Sequence, residues 1–247
     1  SAGSILKIKD TEKLKEIEVK NNIKDLNSLD IKDFHFLNEK IYITYSYKNS
    51  KDCNFLRIAE SNLENFFLNF KIFYSSEECH RNVIAGKMAT YIHNGKKGLL
   101  LTTGSDGKEK KKYAQLDESF YGKILFFNIE EKKYQLISKG HRNPQGLFVY
   151  KEKIIATEHG PKGGDEINLI TVGKNYGWPI SSYGEPYSFK YKLNEKFIYK
   201  KDHLKYKFVE PIYSFVPSIG ISQIIKVPEN FSEFWKDNFL ISSLKKF

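Results

Sequence analysis

The chain has 247 residues and 40% hydrophobic content, which is enough to bury a substantial core and excludes wholesale disorder. Its 40 lysines and arginines against 30 acids leave a formal charge of +10, but most of the cations are lysines scattered beside acids, as at 108–112 and 132–133. No zinc-finger, helix-turn-helix or aromatic RNA-binding signature accompanies them, so the charge reads as a solvated surface and nucleic acid is set aside as a partner.

Strand-like runs recur along the chain at intervals of roughly ten residues, separated by turn signals. The first is 5–8 (ILKI), and then comes 40–47 (KIYITYSY), in which apolar and polar residues alternate. Runs at 54–59, 70–74, 87–91 and 98–103 follow, then 123–128, 134–138, 146–150, 153–157 and 166–170, and finally 222–227 and 239–243. The 10–19 stretch is too charged and patternless to predict a helix. Phe (19) and Tyr (16) are abundant, and aromatic side chains suit pleated, half-buried surfaces. The pattern predicts an all-β fold, a sandwich or a propeller, and no low-complexity linker divides it, so 1–247 reads as one domain. No run approaches the ~18 apolar residues of a membrane span. The start at Ser1 without Met would hide an export signal, and the pair Cys53 and Cys79 fits one disulfide or two buried thiols equally.

Two segments carry far more chemical character than the rest. The first runs Gly140-His141-Arg142-Asn143-Pro144-Gln145-Gly146-Leu147. A guanidinium there offers a planar fork of donors for carboxylate or quinone oxygens, or for the carbonyls of a neighbouring loop. The second begins Glu158-His159-Gly160-Pro161-Lys162-Gly163-Gly164-Asp165-Glu166 and continues to Tyr176-Gly177-Trp178-Pro179. Pro161 lacks an N–H, so this turn is rich in carbonyl oxygens, and Asp165 and Glu166 add carboxylates, the ligands a hard cation such as Ca²⁺ takes. An ordinary glycine-rich turn with a solvated acidic pair has the same composition.

Both segments, in this order and at this separation, resemble the signature of the pyrroloquinoline-quinone (PQQ) dependent glucose and aldose sugar dehydrogenases, the glucose/sorbosone dehydrogenase family. The resemblance extends to 40–47, to 98–106 (GLLLTTGSD), to 115–128, to Val216-Pro217-Ser218-Ile219 and to 240–245 (LISSLK). It implies a six-bladed β-propeller, incomplete in this chain, and oxidation of aldose sugars to lactones with PQQ and Ca²⁺. Arg142 and Asn143 would contact the quinone and the substrate. Gly160 and Pro161 would give backbone oxygens to the Ca²⁺ that bridges protein and cofactor, and Lys245 would pair with a cofactor carboxylate. Glu166 and the main chain of Tyr176 would hold a second, structural Ca²⁺. The family's export implies a periplasmic or secreted protein, and oxidation there favours a Cys53–Cys79 disulfide between the outer ends of two neighbouring strands.

The chain also departs from the family pattern. The family's general base is a His three residues before a Gly-(Arg/Lys) pair; the matching pair is Gly86-Lys87, which puts Val83 at the base position. His80 and His93 lie nearby at the wrong spacing, His80 being the candidate substitute, and residues 25–30 match an upstream cofactor-binding stretch poorly. The family also carries roughly another blade after the Ser-Leu-Lys strand, so a further segment or second polypeptide is expected to complete the ring. The departures leave two readings, an impaired sugar dehydrogenase and a non-catalytic propeller that serves binding or scaffolding.

Overall fold

The computed structural model describes residues 5–7, 15–17, 20–23, 29–49, 53–62, 67–80, 82–105, 111–187 and 199–245. Ile8, the 25–28 stretch and Asp106 lie outside the described residues. The strands fall into two compact units, Ser1–Arg81 and Asn82–Phe247. Among the described residues there is no α-helix, as the spacing of the apolar runs predicts.

The first unit holds β1 (Ile5–Lys7), β2 (Lys15–Ile17), β3 (Lys20–Asn21), β4 (Asp30–Leu37), β5 (Lys40–Lys48), β6 (Asn54–Asn62), β7 (Phe67–Leu68) and β8 (Lys71–Ser75). Its main sheet is antiparallel in the order β4-β5-β6-β8. The run at 40–47 becomes the central strand, and Ile41 to Tyr45 are buried without interruption, because both faces are covered there. Strand β4 is absent from the sequence-based expectations. Its Asp30, Lys32 and Asp33 are poor strand formers that an edge position tolerates, with Phe34 and Phe36 left exposed. Ile41, Ile43, Tyr45, Ala59 and Leu68 form the core of this unit. Cys53 and Cys79 are joined as a disulfide, with Cα atoms 5.5 Å apart. The expected pairing is present, and the adjacent Asn54 and His80 exchange both backbone hydrogen bonds.

The second unit holds β9 (Ala85–His93), β10 (Lys96–Thr103), β11 (Lys123–Asn128), β12 (Lys133–Lys139), β13 (Pro144–Tyr150), β14 (Lys153–Glu158), β15 (Asp165–Ile170), β16 (Lys174–Asn175), β17 (Tyr213–Phe215), β18 (Ile221–Lys226) and β19 (Phe239–Ser243). They form sheets in the orders β16-β12-β11-β10-β9, β13-β14-β15-β17 and β18-β19. Asn94 and Gly95, between β9 and β10, both take positive φ, the two-residue hairpin geometry that an Asn-Gly pair favours. Leu100, Ile124, Phe126 and Ile137 of one sheet share a core with Leu147, Ile154, Ala156 and Ile170 of the next, so consecutive sheets stack face to face. All six residues of β11 are buried, since this strand lies inside its sheet and is covered on both faces. One consequence of register positions the site. β13 and β14 pair antiparallel with Pro144 opposite Glu158, so the residues just before β13 meet those just after β14.

Candidate functional site

That hairpin explains why two motifs 16 residues apart converge: Arg142 and Asn143 precede β13, and His159, Gly160 and Pro161 follow β14. Arg142 is 6% exposed, and its Nη1 donates to the carbonyls of His159 (2.9 Å) and Gly160 (2.8 Å). Its guanidinium carbon lies 5.5 Å from the centre of the Trp178 ring, whose indole N–H donates to the Ser105 carbonyl at 2.8 Å. The fork therefore engages the carbonyls of the neighbouring loop, one of the two uses its chemistry allows. Asn143 is half-buried, and its Oδ1 accepts from Gln145 Nε2 at 2.7 Å. Nε2 of His159 is buried with no hydrogen-bond partner, a polar atom that a bound group could satisfy.

The loop is held by carboxylates. Asp165 is buried, and its two oxygens accept from the backbone N–H of Gly160 (3.1 Å) and of Ile221 (2.9 Å). It is thus a brace between the Gly160 turn and β18, not the second solvated acid of a pair. A Cβ on Gly160 would come within 2.1 Å of the Gly164 carbonyl oxygen, so only glycine fits there. Glu158 accepts from the backbone N–H groups of Arg142 and Asn143 with one oxygen and meets His141 Nδ1 with the other, at 3.0 Å. His141 is fully buried, stacks on Tyr176 with ring centres 4.8 Å apart, and reaches Ser138 Oγ at 2.8 Å.

Glu166 sits on β15 opposite Glu158 in the β14–β15 register. Burial, with the Glu158 charge adding to it, pushes the Glu166 carboxyl up to about 8. Its Oε2 accepts from Asn168 Nδ2 at 3.3 Å, and Asn168 Oδ1 is buried without a hydrogen-bond partner. His203 approaches from the other side, 3.9 Å from Glu166 and 3.7 Å from Glu210, and burial holds its pKa below the usual histidine value. Tyr176 donates its phenol to the Leu169 carbonyl (2.6 Å) and its backbone N–H to the Lys139 carbonyl (2.9 Å). Among the described residues no group of three or more His, Cys, Asp and Glu side chains is arranged to hold a metal ion. A cation site among the described residues draws on at most two such side chains, together with carboxamide and main-chain oxygens.

The remaining expected residues fall elsewhere. Lys245 follows β19 with an exposed side chain, and its backbone N–H donates to the Ile219 carbonyl at 3.1 Å. Val83 is buried at 4% exposure and offers no proton acceptor. His80 is buried in the first unit at 2% exposure, and His93 is half-buried with its ring centre 5.3 Å from that of Phe126. A cavity of about 460 Å³ in the first unit, lined by residues such as Lys40, Glu60, Phe67 and Lys71, shares no residue with either motif.

The family model described as glucose/sorbosone dehydrogenase matches residues 26–247. The chain belongs to the glucose/sorbosone dehydrogenase family. It is 33% identical over 122 residues to the aldose sugar dehydrogenase YliI of Escherichia coli, covering 49% of this chain and 32% of that protein. It is 50% identical over 86 residues to the quinoprotein glucose dehydrogenase B of Acinetobacter calcoaceticus, covering 30% and 18%. Among solved structures it matches the PQQ-bound form of an aldose sugar dehydrogenase from Streptomyces coelicolor, with a TM-score of 0.61 at 18% identity, over 90% of this chain and 65% of that one. The chain thus spans less than two thirds of that structure and a third or less of each curated relative. At that identity the structural match establishes fold alone: all-β, of the six-bladed propeller type.

Sequence reasoning on this family member did not single out Glu158, Asn168 or His203, and left Asp165 between a cation-type carboxylate and a solvated acid. Glu158 stands in the second motif at the end of a predicted strand, so its position is visible there. What it binds depends on the hairpin register.

Proposed function

We propose that this glucose/sorbosone dehydrogenase family chain serves the oxidation of aldose sugars to lactones with PQQ and Ca²⁺. The observation that carries the reading is the convergence of Arg142 with the Gly160 carbonyl through a 2.8 Å hydrogen bond. The donor set suits an anionic quinone: a buried guanidinium, a carboxamide and the unpartnered His159 Nε2. When bound, PQQ supplies the hydride acceptor and Ca²⁺ a Lewis acid for the reacting carbonyl.

This chain's own residues do the rest. Arg142 and Asn143 would offer donors to the quinone, and Trp178 lies beside the guanidinium. Gly160 and Pro161 are the residues that would give carbonyl oxygens to the cofactor's cation; a carbonyl has two lone pairs, so the Gly160 bond to Arg142 leaves one. Lys245 would supply a cation for a cofactor carboxylate. Glu166 with the Tyr176 carbonyl would hold the structural Ca²⁺, and the buried, unpartnered Asn168 Oδ1 beside Glu166 fits such a hard cation. Buried Val83 leaves the expected base position without a proton acceptor, and a placed base is worth typically 10²–10⁴-fold, so turnover is low or nil. The disulfide supports a periplasmic or secreted setting. The family match begins at residue 26 and runs through both units, which supports reading them as parts of one domain.

The test is reconstitution with PQQ and Ca²⁺ followed by a panel of aldoses with a dye acceptor. Expected are a change in the PQQ absorption spectrum and little dye reduction. An unchanged spectrum rejects PQQ binding, and brisk oxidation of aldoses rejects the impaired base position.

A further inference from the structure

The Arg142–Asn143 dipeptide is held at all four of its backbone polar groups. The Arg142 carbonyl accepts from the Ser105 N–H at 2.7 Å, and the Asn143 carbonyl accepts from the His159 N–H at 3.0 Å. Those two bonds are backbone to backbone. The two remaining groups, the N–H of Arg142 and the N–H of Asn143, both donate to one oxygen of Glu158. Glu158 is therefore a side chain that grips the backbone from which the guanidinium and the carboxamide project. Its other oxygen faces His141 Nδ1 at 3.0 Å, and His141 Nε2 faces Ser138 Oγ at 2.8 Å. A carboxylate oxygen accepts, so Nδ1 carries a proton in this line, and in the neutral ring Nε2 accepts from the Ser138 hydroxyl. All three side chains are buried, which closes this Ser–His–Glu line to a substrate and leaves it a bracing function.

We infer that Glu158 is a positioning residue for the cofactor, acting through the backbone amides of Arg142 and Asn143. The inference rests on the reading of those two residues as cofactor contacts. The geometry separates length from charge. In Glu158→Gln the amide oxygen still accepts both N–H groups; the amide NH₂ then donates to His141 Nδ1, the imidazole proton moves to Nε2, and the Ser138 hydroxyl turns to accept it. In Glu158→Asp the side chain is shorter by one methylene and cannot reach both amides and His141 together.

The experiment takes the full chain, the two Glu158 variants and Ser138→Ala as a control, which disturbs the same buried line without touching either amide. Hydrogen exchange is read at residues 142 and 143 without cofactor, and PQQ affinity from quenching of intrinsic tryptophan fluorescence. Glu158→Asp should speed exchange at both amides at least tenfold, with β11 still protected, and weaken PQQ at least tenfold; Glu158→Gln and Ser138→Ala should stay within about threefold in both. Unchanged exchange in Glu158→Asp overturns the inference, as does a Ser138→Ala variant that matches it in both readouts. If Glu158→Asp does not fold, Glu158→Gln decides. The neutral acceptor should shift the amide proton resonances of Arg142 and Asn143 upfield, and unmoved resonances overturn the grip. If the parent chain binds no PQQ, the functional reading fails and the exchange data still decide what holds the two amides.

Discussion

Replacing Arg142 by Lys keeps a positive charge and removes the fork. Nη1 of Arg142 serves two carbonyls, at 2.9 and 2.8 Å, in a setting only 6% exposed. A lysine side chain ends one atom short of Nη1, so its ammonium cannot keep both contacts, and it has no planar face to lay near Trp178. One hydrogen bond from a charged donor is worth about 1.5–3 kcal/mol, and a desolvated cation–π contact adds about 0.5–2 kcal/mol. The expected loss is therefore about 2–5 kcal/mol. For a unit of this size that lowers the melting temperature by on the order of 10 °C. Both tryptophans, Trp178 and Trp235, lie in the second unit, so intrinsic fluorescence during heating and in urea reports that unit without interference from the first. A melting temperature within about 2 °C of the parent would refute the reasoning, because it would mean that the loop carbonyls do not depend on the fork.

Three further outcomes are expected. Gly140→Ala puts a Cβ 2.2 Å from Asn175 Oδ1 and 2.6 Å from the Gly177 nitrogen at a φ of +80°, so it should cost about 2–4 kcal/mol by the same fluorescence assay; a loss below about 1 kcal/mol would show that the 175–177 turn can move aside. Replacing both Cys53 and Cys79 by Ser opens a 26-residue loop, which chain entropy rates at about 3.5 kcal/mol at most; faster hydrogen exchange in β5 and β6 is the readout, and unaltered exchange would count against the disulfide as a brace of the first unit. With calcium present, a chelator should lower the parent's melting temperature by several degrees and leave Glu166→Gln insensitive; a variant with the parent's metal content and chelator response would remove Glu166 from the proposed site.

Much of this family member is legible from local sequence, because strand period and turn chemistry act over a few residues. The runs at 123–128 and 239–243 coincide with β11 and β19, and 153–157 falls one residue short of β14. The resemblance implied that Arg142 and the Gly160 turn serve one cofactor; what the β13–β14 register contributes is a hydrogen bond from Arg142 to the Gly160 carbonyl. Strand β4 was hidden because an edge strand tolerates charges that a central strand does not, so its composition imitates a loop. The tertiary structure alone decided which groups answer one another. Trp178 reaches Ser105 across 73 residues, Ile221 reaches Asp165 across 56, and Glu158 takes the amides of Arg142 and Asn143 because β13 and β14 pair in one particular register. A carboxylate in a sequence can be a ligand, a solvated charge or a clamp. Which of these it becomes depends on the donors that long-range pairing places within about 3 Å of its oxygens, in a site closed to water.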